Sequence, residues 1–221
     1  MADYTAPERG RAALLTINAQ RDFTLQGSPL RACGVKGALP ALEGLVTGFR
    51  EHGVPIVHAV RLYRPDGSNV DSFRRQAVEE GLRVLMPGTF GAELVDAVKP
   101  GHGVRLDAPS LLGGGFQEIA TREWAVYKPR WGAFHGTRLE QHFKQLGITT
   151  VVVCGFNFST SGRATVYEAG ARDFRIILVP DAVSGATNEA IAELGRIGVY
   201  LMSAETCLDW IRSPKNPVAA A

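Results

Sequence analysis

The chain has 221 residues, 45% of them hydrophobic, with no linker-like or low-complexity stretch between its ends, so it fits a single domain (1–221) able to bury a substantial core. With 24 Lys and Arg against 22 Asp and Glu the net charge is +2, too balanced to point to nucleic acid or a membrane surface, and a small molecule is the expected partner. Three dispersed cysteines, Cys33, Cys154 and Cys207, form neither a disulfide framework nor a Cys/His ligand spacing, and no apolar run approaches the roughly 20 residues of a spanning helix; a cytoplasmic setting is expected.

Residues 1–10 are polar and Pro-containing, and are expected to fray. Ala12 to Asn18 reads as a strand, Ala38 to His52 as a helix and Pro55 to Arg61 as a second strand. From Leu62 to Leu112 the pattern is irregular, broken by Arg64-Pro-Asp-Gly and Met86-Pro-Gly, with a helix expected from Val70 to Glu80 and a short one around Glu93 to Val98. Strands follow at Trp124 to Lys128, Thr150 to Phe156, Arg175 to Pro180 and Val199 to Ser203. Between and after them lie helices at Thr137 to Leu146, Thr160 to Arg172, Asn188 to Arg196 and Ala204 to Arg212, before a second tail at 213–221.

The strands are continuous apolar runs rich in β-branched residues, as strands buried on both faces require. Repeated β-α-β units predict a three-layer α/β/α fold with a mostly parallel six-stranded sheet and helices on both faces. In such folds ligands sit beyond the carboxyl ends of the strands. That selects Asn18 to Phe23, Arg61 to Arg64, Lys128 to Trp131 and Phe156 to Arg163 as segments that converge.

Four stretches in order carry a family resemblance. They are Leu14-Leu-Thr-Ile-Asn-Ala-Gln-Arg-Asp-Phe23, Lys128 within Tyr-Lys-Pro-Arg-Trp-Gly-Ala-Phe-His-Gly-Thr137, Val153-Cys-Gly-Phe-Asn-Phe-Ser-Thr-Ser161, and Arg172-Asp-Phe-Arg-Ile-Ile-Leu-Val-Pro-Asp-Ala182. Together they resemble the isochorismatase-like hydrolases, over nearly the whole chain. In that family's amidohydrolases a Cys at a helix N-terminus attacks a carbonyl, an Asp after the first strand shuttles the proton and a Lys supports both. The resemblance puts Asn18 at the Asp position, Lys128 at the Lys and Ser161 at the Cys, so only the lysine is retained. It also implies a dimer or tetramer, and a strained, often cis, bond near Gly155-Phe156-Asn157.

The departures matter chemically. A carboxamide cannot exchange a proton at ordinary pH, and a serine hydroxyl is a weak nucleophile without a base. Cys154, inside an apolar strand, reads as a small buried hydrophobe and not as a substitute. Three readings stay open: a natural hydrolase of a small amide, ureido or carbamoyl C–N bond that uses another base (Asp22, His135, Glu168 or an uncharged Lys128), a deliberately inactivated variant, or a ligand-binding pseudoenzyme. Isochorismatase-type vinyl-ether cleavage is a further alternative, although it too uses the Asp.

Candidate substrate contacts are Asp22, Phe23, Arg61, Trp131, Phe156, Asn157, Phe158 and Arg163, with Arg61 or Arg163 able to clamp an anionic group in bidentate fashion. Each has a plainer reading: a capping carboxylate for Asp22, core packing for the aromatics, a solvated charge for the arginines. One of Ser159, Thr160 and Ser161 is expected to cap the following helix. The histidines do not form the Asp and paired-His set of metal-dependent nicotinamidases, and no phosphate-binding glycine loop is present, so neither a metal nor a cofactor is expected.

Overall fold

The computed structural model describes residues 3–213. Seven strands form one sheet: β1 (Ala12–Ile17), β2 (Ile56–Val60), β3 (Phe116–Ala120), β4 (Glu123–Tyr127), β5 (Thr150–Gly155), β6 (Arg175–Val183) and β7 (Tyr200–Leu201). Their order across the sheet is β3-β4-β2-β1-β5-β6-β7, and every pair is parallel except β3 with β4. The expected six strands are all present. The seventh, β3, was not anticipated: it is an antiparallel edge strand whose residues are exposed or only partly buried, so it lacks the continuous apolar run that marks the others.

The helices are α1 (Val35–Glu51), α2 (Ser72–Glu79), α3 (Ala108–Leu112), α4 (Leu139–Gln145), α5 (Arg163–Gly170), α6 (Asn188–Arg196) and α7 (Ala204–Arg212). One apolar core joins α1, α7 and the 84–111 crossover to one face of the sheet, through Leu42, Leu45, Phe49 and Cys207 against Leu14, Ile56 and Val152. The other joins α4, α5 and α6 to the opposite face, through Phe143, Val166 and Leu194 against Leu15, Val57 and Val153. Alternation along fully buried β1 and β5 feeds both cores. Within the crossover, the helix expected near Glu93 to Val98 is two short 3-10 turns, Phe90–Ala92 and Asp96–Val98.

The N-terminal segment does not fray over residues 3–10. Glu8 N–H donates to Thr150 Oγ1 (2.8 Å), the Glu8 carboxylate accepts from Thr149 Oγ1 (2.5 Å) and pairs with Arg175 (3.1 Å), and Tyr200 donates to Asp3. Residues 1–2 and 214–221 lie outside the described residues. Among the described residues no helix is long and apolar enough to cross a membrane.

A buried ionic network crosses the α1 face. His58 lies 2.8 Å from Thr16 Oγ1 and 2.9 Å from Glu123, whose carboxylate accepts two hydrogen bonds from the Arg50 guanidinium, each 2.8 Å. Burial alone would raise the Glu123 pKa, but the hydrogen bonds and charges of Arg50 and His58 overcome it and hold the group at about 2 rather than 4.5. A depressed carboxylate pKa stabilises the fold above its unfolded value, by about 3 kcal/mol here, and that contribution is lost as pH falls from 4.5 towards 2. Glu123→Gln is therefore expected to reduce, by about 2 kcal/mol, the stability that denaturant unfolding shows to be lost between pH 6 and pH 3.

Candidate active site

β1 leads to β2 on one side, whereas β5 returns to its other side, so the sheet reverses direction between β1 and β5. A crevice opens at such a point beyond the carboxyl ends of the strands. Three strand ends are tied together there: Phe156 N–H donates to Ile17 O (2.7 Å), Asn18 N–H to Ala59 O (3.0 Å) and Lys128 N–H to Val60 O (2.9 Å). Gly155 makes the approach possible, since a Cβ at that residue would sit 2.2 Å from the carbonyl oxygen of Ile17. Among the described residues no peptide bond is cis; the strain expected near Gly155 is carried instead by positive φ at Gly155 (113°) and Asn157 (60°), and Asn18 has φ 54° as well.

Lys128 is fully buried. Its Nζ donates to the carbonyls of Trp131 (3.0 Å) and Arg130 (3.2 Å) and lies 3.3 Å from Ser161 Oγ. No carboxylate pairs with it among the described residues. Burial pushes its pKa well below the ordinary value, and the guanidinium groups of Arg61 and Arg74 push the same way against the weaker pull of Asp71 and Glu168. Ser161 is 4% exposed and lies in a π-type turn, Phe158–Gly162, that runs directly into α5. None of Ser159, Thr160 and Ser161 caps this turn with its side chain. Instead the amides of Thr160 and Gly162 donate to the carbonyl of Asn157. Asn18 Nδ2 reaches the carbonyl of Phe156 (3.4 Å), while its Oδ1 is buried without a partner.

The other candidates divide. Arg61 is buried and bonds Asp71 (2.5 Å) and Tyr63 Oη (3.1 Å), leaving its Nε and Asp71 Oδ1 without partners. Trp131 stacks on Phe73 of α2 at 4.7 Å and borders a cavity of about 410 Å3 shared by Asp71, Phe73, Arg130, His135 and Glu168. Phe23, Phe156 and Phe158 are core residues, not substrate contacts; strand-end position alone does not show which way a ring points. Asp22 turns away to accept from Leu85 N–H (2.6 Å), anchoring the crossover. Arg163 extends towards Glu193 of α6 (3.7 Å) and over Phe158, and Asn157 shapes the turn through its backbone. Glu168 is engaged by the amides of Phe134 (2.8 Å) and His135 (3.1 Å). Cys154 is buried, and burial holds its thiol well above the usual range, so it is inert.

Two positioning groups were not anticipated. Gln20 Nε2 donates to Arg61 O (2.8 Å) and Ala92 O (2.6 Å) while its Oε1 accepts from Arg61 N–H (2.7 Å), bolting the ends of β1 and β2 together. Its place in the first motif is the only signal in the sequence. Asp71 falls inside the helix expected from Val70 to Glu80, but the helix begins at Ser72, and the Asp71 side chain makes no cap bond and turns instead to Arg61. A larger hollow of about 650 Å3, bordered by Tyr4, Tyr167, Phe174 and Ile197, lies at the amino end of β6, the wrong edge of the sheet for this chemistry.

Known proteins fit this geometry. Residues 115–206 match the model of the isochorismatase domain. A probable inactive nicotinamidase of Arabidopsis thaliana is 30% identical over 199 residues, which cover 87% of this chain and 92% of that protein. The chain belongs to the isochorismatase-like hydrolase family. A maleamate amidohydrolase of Pseudomonas putida is 27% identical over 174 residues, covering 78% of this chain and 72% of that enzyme. The crystal structure of an isochorismatase family protein from Desulfovibrio vulgaris superimposes with a TM-score of 0.77 at 27% identity, over 92% of this chain and 99% of that one. The crystal structure of a Pyrococcus horikoshii pyrazinamidase in complex with zinc superimposes with a TM-score of 0.65 at 26% identity, over 87% of this chain and 99% of that one. Among the described residues of this isochorismatase-like chain no three His, Cys, Asp or Glu side chains are grouped so as to hold a metal ion.

Proposed function

We propose that this protein hydrolyses a C–N bond of a small amide, ureido or carbamoyl compound, with Ser161 as the nucleophile. The observation that carries the reading is the contact between Ser161 Oγ and the buried Lys128 Nζ at 3.3 Å, at the switch point of the sheet. Oγ attacks the carbonyl carbon, the amine leaves and water then releases the acid from the seryl ester. The neighbouring cavity has the volume of a small-molecule site, and Arg61, buried behind Asp71 of its wall with Nε unpartnered, would suit an anionic group that displaces Asp71. Kinship with an amidohydrolase of maleamate supports the bond class.

Incubating the protein with a panel of small amides and ureido acids is expected to give product and, by intact-mass analysis, an acyl or carbamoyl increment that maps to Ser161 and is absent from Ser161→Ala. A second reading draws on kinship with a probable inactive nicotinamidase. On that reading the same pocket retains ligand without turnover, and native mass spectra would show non-covalent retention with no product from any member of the panel.

A further inference from the structure

We propose that Lys128 is the general base that activates Ser161, a role that rests on Ser161 being the nucleophile. Three observations carry it. The first is geometric. Two of the three positions around Nζ are taken by the carbonyls of Arg130 and Trp131, which only accept, so both are N–H donations; the third faces Ser161 Oγ. As an ammonium Nζ donates to all three oxygens; once uncharged, with its two N–H groups held by the carbonyls, its one lone pair is left facing the Ser161 hydroxyl proton.

The second is the surroundings. The charged groups that act on Lys128 are Arg61, Arg74, Asp71 and Glu168, and the two cations act with burial to favour the uncharged amine. Asp71 is itself committed to Arg61, and Glu168 to two backbone amides. The third is elimination. Asn18 cannot accept a proton, Asp22 is turned to Leu85, His135 is exposed on the outer wall of the cavity, and Glu168 holds the 132–135 loop. Among the described residues only Lys128 touches Ser161 Oγ with a basic atom.

The steps balance. As Oγ bonds to the carbonyl carbon, its proton passes to Nζ and the C=O π pair moves to oxygen. When that pair returns, the C–N bond breaks and the Lys128 ammonium gives its proton to the leaving nitrogen. Water then attacks the seryl ester, losing a proton to Nζ, and Nζ returns it to Oγ as the ester bond breaks, so amide and water become acid and amine.

The test is the rate at which a fluorophosphonate labels Ser161, read by intact mass across pH, in the wild type, Lys128→Met and Lys128→Ala. For a base, labelling rises with pH and levels off well below the usual lysine range. Lys128→Met lowers the plateau by about 10²-fold or more, and added methylamine or ethylamine partly restores Lys128→Ala, more so for the stronger base. A rate that falls as pH rises through the same range would show that Lys128 acts as a cation and overturn the proposal. So would a folded Lys128→Met that labels at the wild-type rate, and in either case Ser161 keeps its place as nucleophile. No labelling of the wild type at any pH overturns the nucleophile and the base together. The wild-type profile reads the sign without relying on any variant to fold.

Discussion

Restoring the two exchanged positions, Asn18→Asp with Ser161→Cys, is expected to raise kcat/KM towards small amides by roughly 10²–10⁴-fold, the scale of one positioned acid–base group, with further gain from the thiolate. The frame these residues need is in place. Lys128 is buried beside residue 161, the turn carrying 161 runs into a helix, and the strand ends bearing 18 and 128 are hydrogen-bonded to β2. Asn18 is buried with Oδ1 unpartnered, so an Asp carboxyl fits its volume. With the carbonyl of Phe156 3.4 Å from the position of Nδ2, the carboxyl gains by holding a proton towards it, as a proton shuttle requires. Single variants separate the contributions: Ser161→Cys alone gains a better nucleophile without its Asp, and Asn18→Asp alone supplies a carboxyl for proton transfer without the thiol. A double variant with no gain over the wild type on any amide would show that the surrounding pocket, rather than residues 18 and 161, limits the chemistry.

The largest stability effect is expected from Gly155→Ala. The added Cβ meets the Ile17 carbonyl oxygen at 2.2 Å and its nitrogen at 2.6 Å, both backbone atoms of the central strand, at a φ of 113° that L-residues rarely adopt. Relief requires β1 and β5 to separate where both cores meet, so a loss of more than about 4 kcal/mol in denaturant unfolding, or failure to accumulate as soluble protein, is the expected result. Gly147→Ala is the control. Its φ is 70° and an added Cβ meets nothing within 4 Å, so only conformational strain of about 1 kcal/mol is expected. Equal losses at the two positions would mean that φ, not the close approach to Ile17, decides the requirement at 155.

The six expected strands could be read in the sequence because they are mostly apolar runs, and β1, β2 and β5, buried throughout, depart from that only at Thr16, His58 and Thr150. Phe116 to Ala120 escaped because an edge strand on one partner needs no such run. Strand order was not readable, but strand ends were, and Asn18, Lys128 and Ser161 followed from the rule for where open sheets bind ligands together with the resemblance. Which way each side chain turns depends on partners distant in the chain. Asp22 is claimed by Leu85, Arg163 by Glu193 and Arg61 by Asp71, and no local pattern announces any of the three. The aromatic residues after β1 and β5 went to the cores for the same reason: a ring near a strand end packs wherever the helices leave room.

The stack of Phe73 on Trp131 has a consequence for traffic through the site. Lys128, Asn18 and Arg61 are no more than 2% exposed, yet α2, which carries Phe73, contributes no buried residue, and Phe73 itself is 78% exposed. An aromatic stack worth about 0.5–1.5 kcal/mol, a hydrogen bond from Arg74 to Tyr63 (3.3 Å) and Val78 against the first core hold this helix beside the cavity, while Asp71 at its start stays pinned to Arg61. The amides of α2 are expected to exchange with deuterium well before those of β1 and β5, and entry to the cavity past Phe73 to follow the opening of these eight residues.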